Sequence, residues 1–307
     1  MKPGKVSAWA GTAFLALVFL FLYGPILSVI CYSFNASKLA TVWSHFSLQW
    51  YAQLAQDDEL MQAAWVSLRL ALFTAFASMV MGGWAGFVLA QFRNFRGFSL
   101  FTAMINAPMV LPEVISGISL LLLFVTLEQT TGWPNGRGML TIWIGHVMLC
   151  LSYVAITVQA RLATMDASLT EAARDLGAPP WRVFFDITLP LISQALVSGW
   201  LLSFTISLDD VVMSAFLSGP GTTPLPLVVL SRVRIGLNPE INALGTLFIV
   251  FVGVIVIGNN HLLMRRERRR ERDLQLAMAG ARPEAAAAIA LRTYTAAPQP
   301  TAALPLP

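Results

Sequence analysis

Three carboxylates stand where carboxylates are rare: Glu113, Asp209 and Asp210 each fall within an apolar stretch long enough to cross a membrane. An ionisable group in a hydrocarbon layer is costly and marks a functional site by default. Acids in such a place suit the passage of a cation and oppose that of an anion. Neighbouring residues on a helix point about 100° apart, so Asp209 and Asp210 do not face one path equally. An ion pair with Arg69, or the capping of a broken helix, accounts for the same residues, and the sequence leaves these alternatives open. Other reactive side chains offer less. Cys31 and Cys150 lie in or beside apolar stretches, and His45, His146 and His261 are scattered. No spacing suits a metal or a disulfide framework, and no nucleophile–base pair is visible. The chain also lacks the G-x-x-x-x-G-K-[ST] phosphate loop, so it is not itself an ATPase. No cofactor, metal or enzymatic activity is expected.

A second constellation lies in the polar loop 161–190, RLATMDASLTEAARDLGAPPWRVFFDITLP. Ser168 and Glu171 have the spacing of a capping box at the start of a short helix. Ala172, Ala173 and Leu176 give that helix a small, smooth apolar face, and Gly177 stops it. Pro179 and Pro180 suit the first turn of a second short helix bearing Trp181, Phe184 and Phe185, and Pro190 opens the next span. Two short helices with an apolar face outside the membrane call for a partner protein with a groove to receive them.

The elements that must position these residues follow from composition. The 307 residues are 56% hydrophobic and 12% charged, against about 25% charged in soluble domains. Six spans are expected, at about 11–33, 65–91, 100–126, 139–160, 191–217 and 242–264. The first is too long for a signal-peptide core and is read as a retained helix. Pro108 and Pro112 break the backbone ladder of the third span, in which Glu113 is central. Asp209 lies ~29 Å along the fifth. Residues 47–63 read as an interfacial helix, with Trp50 and Tyr51 at headgroup level. Asn238, Pro239 and Glu240 read as the capped start of the sixth span.

Lys and Arg accumulate on the cytoplasmic side of a membrane. One set of connections holds thirteen such residues: Lys2, Lys5, Arg93, Arg96, Arg161, Arg174, Arg182 and six arginines between 265 and 272. The other holds four: Lys38, Arg137, Arg232 and Arg234. Both termini, and the loop 161–190, are therefore expected in the cytoplasm. The net charge of +4 is explained by the same arginine run, which sits at a membrane surface and does not call for nucleic acid. Residues 1–275 are expected to form the membrane domain, with 276–307 an Ala/Pro-rich disordered tail.

The motif Glu171-Ala172-Ala173, then Gly177, then Ile187-x-Leu189-Pro190, resembles the EAA motif of binding-protein-dependent ABC importer permeases in spacing and in place along the chain. The resemblance implies the type I permease fold, with six transmembrane helices in an all-α polytopic protein of the bacterial inner membrane. It implies that Glu171, Ala172, Ala173, Gly177, Trp181, Phe184, Phe185 and Pro190 dock against a separate ATP-binding cassette ATPase dimer. A second permease subunit and a periplasmic binding protein complete such an importer. Over about residues 12–275, segments such as Phe34-Asn35-Ala36-Ser37-Lys38, Gly132-Trp133-Pro134, Ser207-Leu208-Asp209-Asp210 and Asn238-Pro239-Glu240-Ile241 resemble polyamine importer permeases. The second permease subunit of putrescine importers is matched more fully than that of spermidine importers. That resemblance implies a dicationic substrate and makes Glu113, Asp209 and Asp210 the candidate substrate path. Competing readings are an ABC importer for another solute, such as ferric iron, sulfate or thiamine, and an ion-coupled secondary transporter. The latter predicts inverted repeats with matching broken helices, and no counterpart to the broken third span is visible in the sixth.

Overall fold

The computed structural model describes residues 5–38, 42–92, 95–166, 168–236 and 239–254, with a few isolated positions as far as 272. Among them the backbone is almost wholly helical, apart from one antiparallel bridge between Asn35 and Phe46. The chain divides into a compact unit ending at Val250 and a second beginning at Phe251. The Ala/Pro-rich tail lies outside the described residues.

The apolar stretches are helices because only a helix satisfies their backbone groups within the segment itself. The long ones are α1 (Lys5–Ser33), α3 (Asp58–Gln91), α5 (Glu113–Thr131), α6 (Met139–Ala163) and α9 (Leu189–Asp209). Between them come α2 (Gln49–Leu54), α4 (Phe98–Val110), α7 (Ser168–Asp175), α8 (Pro180–Arg182), α10 (Val212–Leu217) and α11 (Leu225–Ile235). An apolar helix α12 (Pro239–Val254) follows, beginning at the proline expected to open the sixth span.

Two boundaries differ from expectation, while the third span breaks as expected, at Pro112 and not at Pro108, which lies inside α4. The interfacial helix over 47–63 contracts to α2, because Asp57 accepts a hydrogen bond from the Leu60 N–H at 3.0 Å and starts α3 well before residue 65. The third crossing is two helices, α4 and α5. Pro112 has no N–H to give and holds Leu111 in an extended conformation (φ −73°, ψ 138°). The fifth crossing does not begin at 191. A helix starts at Pro180, widens into a π turn over Val183–Thr188, and continues as α9. Such a turn accommodates Pro190, which has no N–H for the ladder and whose ring would press on the carbonyl of residue 186 in a regular helix.

Helices α3, α6 and α9 form the packed centre, and they meet through small residues, as membrane helices do when close approach replaces the hydrophobic effect. Val154 of α6 is clasped from both sides. A Cβ on Gly82 of α3 would lie 2.7 Å from Val154 Cβ, and one on Gly199 of α9 would lie 3.2 Å from Val154 Cγ1. One turn along α3, a Cβ on Gly86 would run into the Ala155 carbonyl oxygen and sit 2.9 Å from Val158 Cβ.

The Asp57 end of α3 is tied to α11 by charge. Arg232 reaches Asp57 with two nitrogens, at 2.6 and 3.1 Å, and Glu59 at 2.6 Å. Glu240 of α12 lies 3.8 Å from the same guanidinium. Hydrogen bonding to Arg232 holds the Asp57 carboxyl below its ordinary range, and the same bonds push Arg232 upward. A single guanidinium thus joins α3, α11 and α12.

Candidate functional sites: an exposed docking loop and paired helix breaks

The loop between α6 and α9 folds largely as its residue types dictate. Helix α7 begins at Ser168, and the side chain that caps it is Asp166, whose Oδ1 accepts from the Ser168 N–H at 2.9 Å. This corrects the expected Ser168–Glu171 capping box: the carboxylate two residues upstream reaches the free N–H first. Bonds from Ser168 hold the exposed Asp166 carboxyl below its ordinary range. The helix ends as expected at Gly177 (φ +82°). The Ala178 N–H bonds the Ala173 carbonyl at 3.0 Å and the Gly177 N–H bonds that of Arg174 at 2.9 Å. This paired closure needs a left-handed residue at its corner, the conformation glycine adopts without cost.

Proline 180 occupies the first turn of α8, as expected, but the helix it starts runs on into α9 and is not a separate short element. Its aromatic residues divide. Phe184 stacks on Trp84 of α3, with ring centroids 5.3 Å apart, and meets Phe87 edge-on at 5.1 Å. Trp181 and Phe185 stay 61% and 56% exposed, and Leu176 at the end of α7 is 89% exposed. Glu171 and Ala172 are exposed beside them, and Ala173 is half-buried. Phe184 anchors the loop to the membrane helices, while Leu176, Trp181 and Phe185 are apolar side chains left uncovered among the described residues.

The acids lie at a different place, where two helices break side by side. Helix α9 ends at Asp209, Asp210 leaves the helix (φ −66°, ψ 127°), and α10 follows. The Asp210 carboxylate accepts from the Ser214 N–H at 2.8 Å and the Met213 N–H at 3.3 Å, capping α10. Its Oδ2 also lies 3.0 Å from His146 Nε2 of α6. His146 Nδ1 is 2.8 Å from Ser207 Oγ, and the ring is 2% exposed. Of the alternatives the sequence left open, capping of a broken helix is therefore what Asp210 does. Arg69 is not its partner, since that guanidinium carbon lies 4.5 Å from the centre of the Trp65 ring.

Asp209, by contrast, is exposed at the last turn of α9, and Glu113 is exposed at the first turn of α5. Glycines bring the two breaks together. A Cβ on Gly117, four residues after Glu113 on the same face of α5, would lie 2.6 Å from Phe216 Cδ2 of α10. A Cβ on Gly145 of α6 would lie 2.6 Å from Leu217 Cδ1. Thr141 Oγ1 then donates to the Leu217 carbonyl at 2.8 Å. Helix α10 is thus wedged between α5 and α6, and Glu113 stands within electrostatic reach of Asp209, Asp210 and His146. Sequence reasoning missed His146, whose one signal was a polar ring inside an otherwise apolar helix.

A helical membrane unit with a broken third and fifth crossing and an exposed loop between the fourth and fifth defines a transporter subunit. Residues 82–269 match the family of binding-protein-dependent transport system inner membrane components, and the chain belongs to that family. The putrescine transport system permease protein PotI of Escherichia coli (strain K12) is 52% identical over 266 residues, covering 87% of this chain and 94% of that protein. The spermidine/putrescine transport system permease protein PotC of the same strain is 38% identical over 255 residues, covering 83% and 93%. Among solved structures, a bacterial ABC transporter that imports the acidic polysaccharide alginate superposes with a TM-score of 0.64 at 16% identity. That match covers 86% of this chain and 98% of that one. The inward-facing MetNI methionine ABC transporter gives 0.57 at 17% identity, covering 67% and 95%. At such identities these structures establish the type I permease fold.

Proposed function

We propose that this chain is a transmembrane subunit of an ATP-driven polyamine importer, with putrescine as the substrate. The observation that carries the reading is the 52% identity to a putrescine permease along nearly the whole of both chains. Exposed Glu113 and Asp209 at adjoining helix breaks support it, since a dication shedding water in a narrow passage needs carboxylates to replace its hydration. Of the expected path residues, Asp210 is engaged by His146 and by the start of α10, so the path rests on Glu113 and Asp209. ATP is hydrolysed in a separate cassette dimer, and a second permease and a periplasmic polyamine-binding protein complete the assembly. Glu171, Ala172, Ala173, Gly177, Trp181 and Phe185 meet the ATPase, while Phe184 and Pro190 transmit the contact into α3 and α9. The substrate reading is tested by transport. The assembled importer should carry labelled putrescine inward and leave sulfate behind, and the reverse preference would refute it.

Both termini and the loop 161–190 lie in the cytoplasm of a bacterial inner-membrane protein, on the thirteen-to-four distribution of basic residues. The membrane domain is taken to extend to about residue 275, a boundary that lies outside the described residues. Reporter fusions at residues 45, 135 and 230 should read external, and fusions at 95, 175 and 275 internal. An inversion within either set contradicts this topology.

A further inference from the structure

We propose that His146 and Asp210 are positioning residues that hold the α9–α10 break so that Asp209, and not Asp210, meets the substrate. The inference rests on the polyamine reading of this site and assigns the two adjacent aspartates different work. Asp210 is buried, and its oxygens are already taken by the Ser214 and Met213 N–H groups and by His146 Nε2. Asp209, one residue earlier, is exposed.

His146 joins three elements at this point. Its Nδ1 lies beside Ser207 of α9, and its Nε2 beside Asp210 at the break and 3.3 Å from Ser214 Oγ of α10. Beside a carboxylate, Nε2 must carry a proton. The Ser207 hydroxyl either donates to Nδ1 or accepts from it, so the contact persists whether the ring is neutral or charged. The direction of the chain at Asp210 sets where the Asp209 side chain points, and that direction is fixed by the cap on α10 and by the ring. Satisfying Asp210 internally leaves Asp209 and Glu113, two carboxylates, for the two ammonium groups of a dication.

The test uses the complete importer, purified as an assembled complex and reconstituted in vesicles, and reads putrescine moved per ATP hydrolysed. H146A leaves a buried carboxylate without its partner, and D209N removes the substrate-facing charge; each should lower the ratio at least tenfold. The combined variant H146A/D209N should be no worse than D209N, because His146 acts through Asp209. In H146Q/D210N, Gln places an amide where Nε2 stands, and Asn still caps α10, so a neutral pair replaces the charged one. That variant should recover to within about threefold of the wild type. If H146A does not assemble, the ratio of H146Q/D210N alone decides. An assembled H146Q/D210N importer as poor as D209N would show that the substrate uses the Asp210 charge, overturning the assignment. A normal ratio in H146A with only its yield reduced would make the pair mere scaffold and overturn it too. D209N impaired with H146A unchanged defeats this assignment alone, whereas a fully active D209N defeats it together with the passage reading.

Discussion

An importer carrying Gly177→Asp inserts normally in the membrane and carries no putrescine. Gly177 sits at φ +82° where α7 closes, and an L-residue in that conformation costs ~1–2 kcal/mol. A negative charge at a helix C-terminus adds a further ~0.3–1 kcal/mol. Neither cost threatens the membrane helices. Among the described residues no atom lies within 4 Å of a Cβ at this position, so the added side chain meets no obstacle there. In the proposed docking it meets the ATPase over Leu176, Trp181 and Phe185, and there it places a carboxylate beside apolar side chains. Desolvating that charge is enough to lose the contact. Membrane content, uptake and ATP hydrolysis stimulated by the binding protein should be measured together, with uptake absent, stimulation absent or uncoupled, and membrane content unchanged. Normal uptake by this variant would remove the loop from the mechanism.

The second large effect is on assembly. Gly86→Leu should prevent α3 from closing on α6. Its Cβ would enter the Ala155 carbonyl, and a backbone atom within a helix does not step aside as a side-chain terminus can. Overpacking of this kind costs ~1–3 kcal/mol, a melting shift of ~2–12 °C for a domain of this size. The yield of assembled complex should fall at least tenfold. Gly11→Leu in α1, where no atom of the described residues lies within 4 Å, is the control and should leave both yield and melting unchanged. Equal behaviour of the two variants would contradict the close α3–α6 packing.

The parts legible in the sequence were those decided locally. Apolar length gave the crossings, Pro112 gave the broken third one, Gly177 gave the end of α7, and Pro180 gave the start of α8. The parts not legible depend on which faces of distant helices meet. His146 and Asp210 are 64 residues apart, and nothing in their own segments says that α6 turns that ring toward the end of α9. The same holds for Phe184: an aromatic after a loop reads equally as an exposed anchor or as a residue packed on Trp84. The capping of α7 was misread for another reason, because Asp166 and Ser168 are both good caps and spacing alone favoured the one with Glu171 three residues on. The break at Asp210 has no proline to announce it, and the cap that stabilises it comes from the aspartate that the sequence reading placed on the substrate path.

This chain is proposed to import a polyamine by coupling to an ATPase through the loop 161–190. Vesicles holding the chain with its second permease and ATPase, with ATP on the loop side and the binding protein on the other, test this directly. Labelled putrescine and released phosphate are followed in the same sample. Putrescine should accumulate against a gradient at a fixed ratio to phosphate, and omitting either ATP or the binding protein should abolish it. Accumulation that persists without ATP and follows an imposed ion gradient would contradict the proposed coupling.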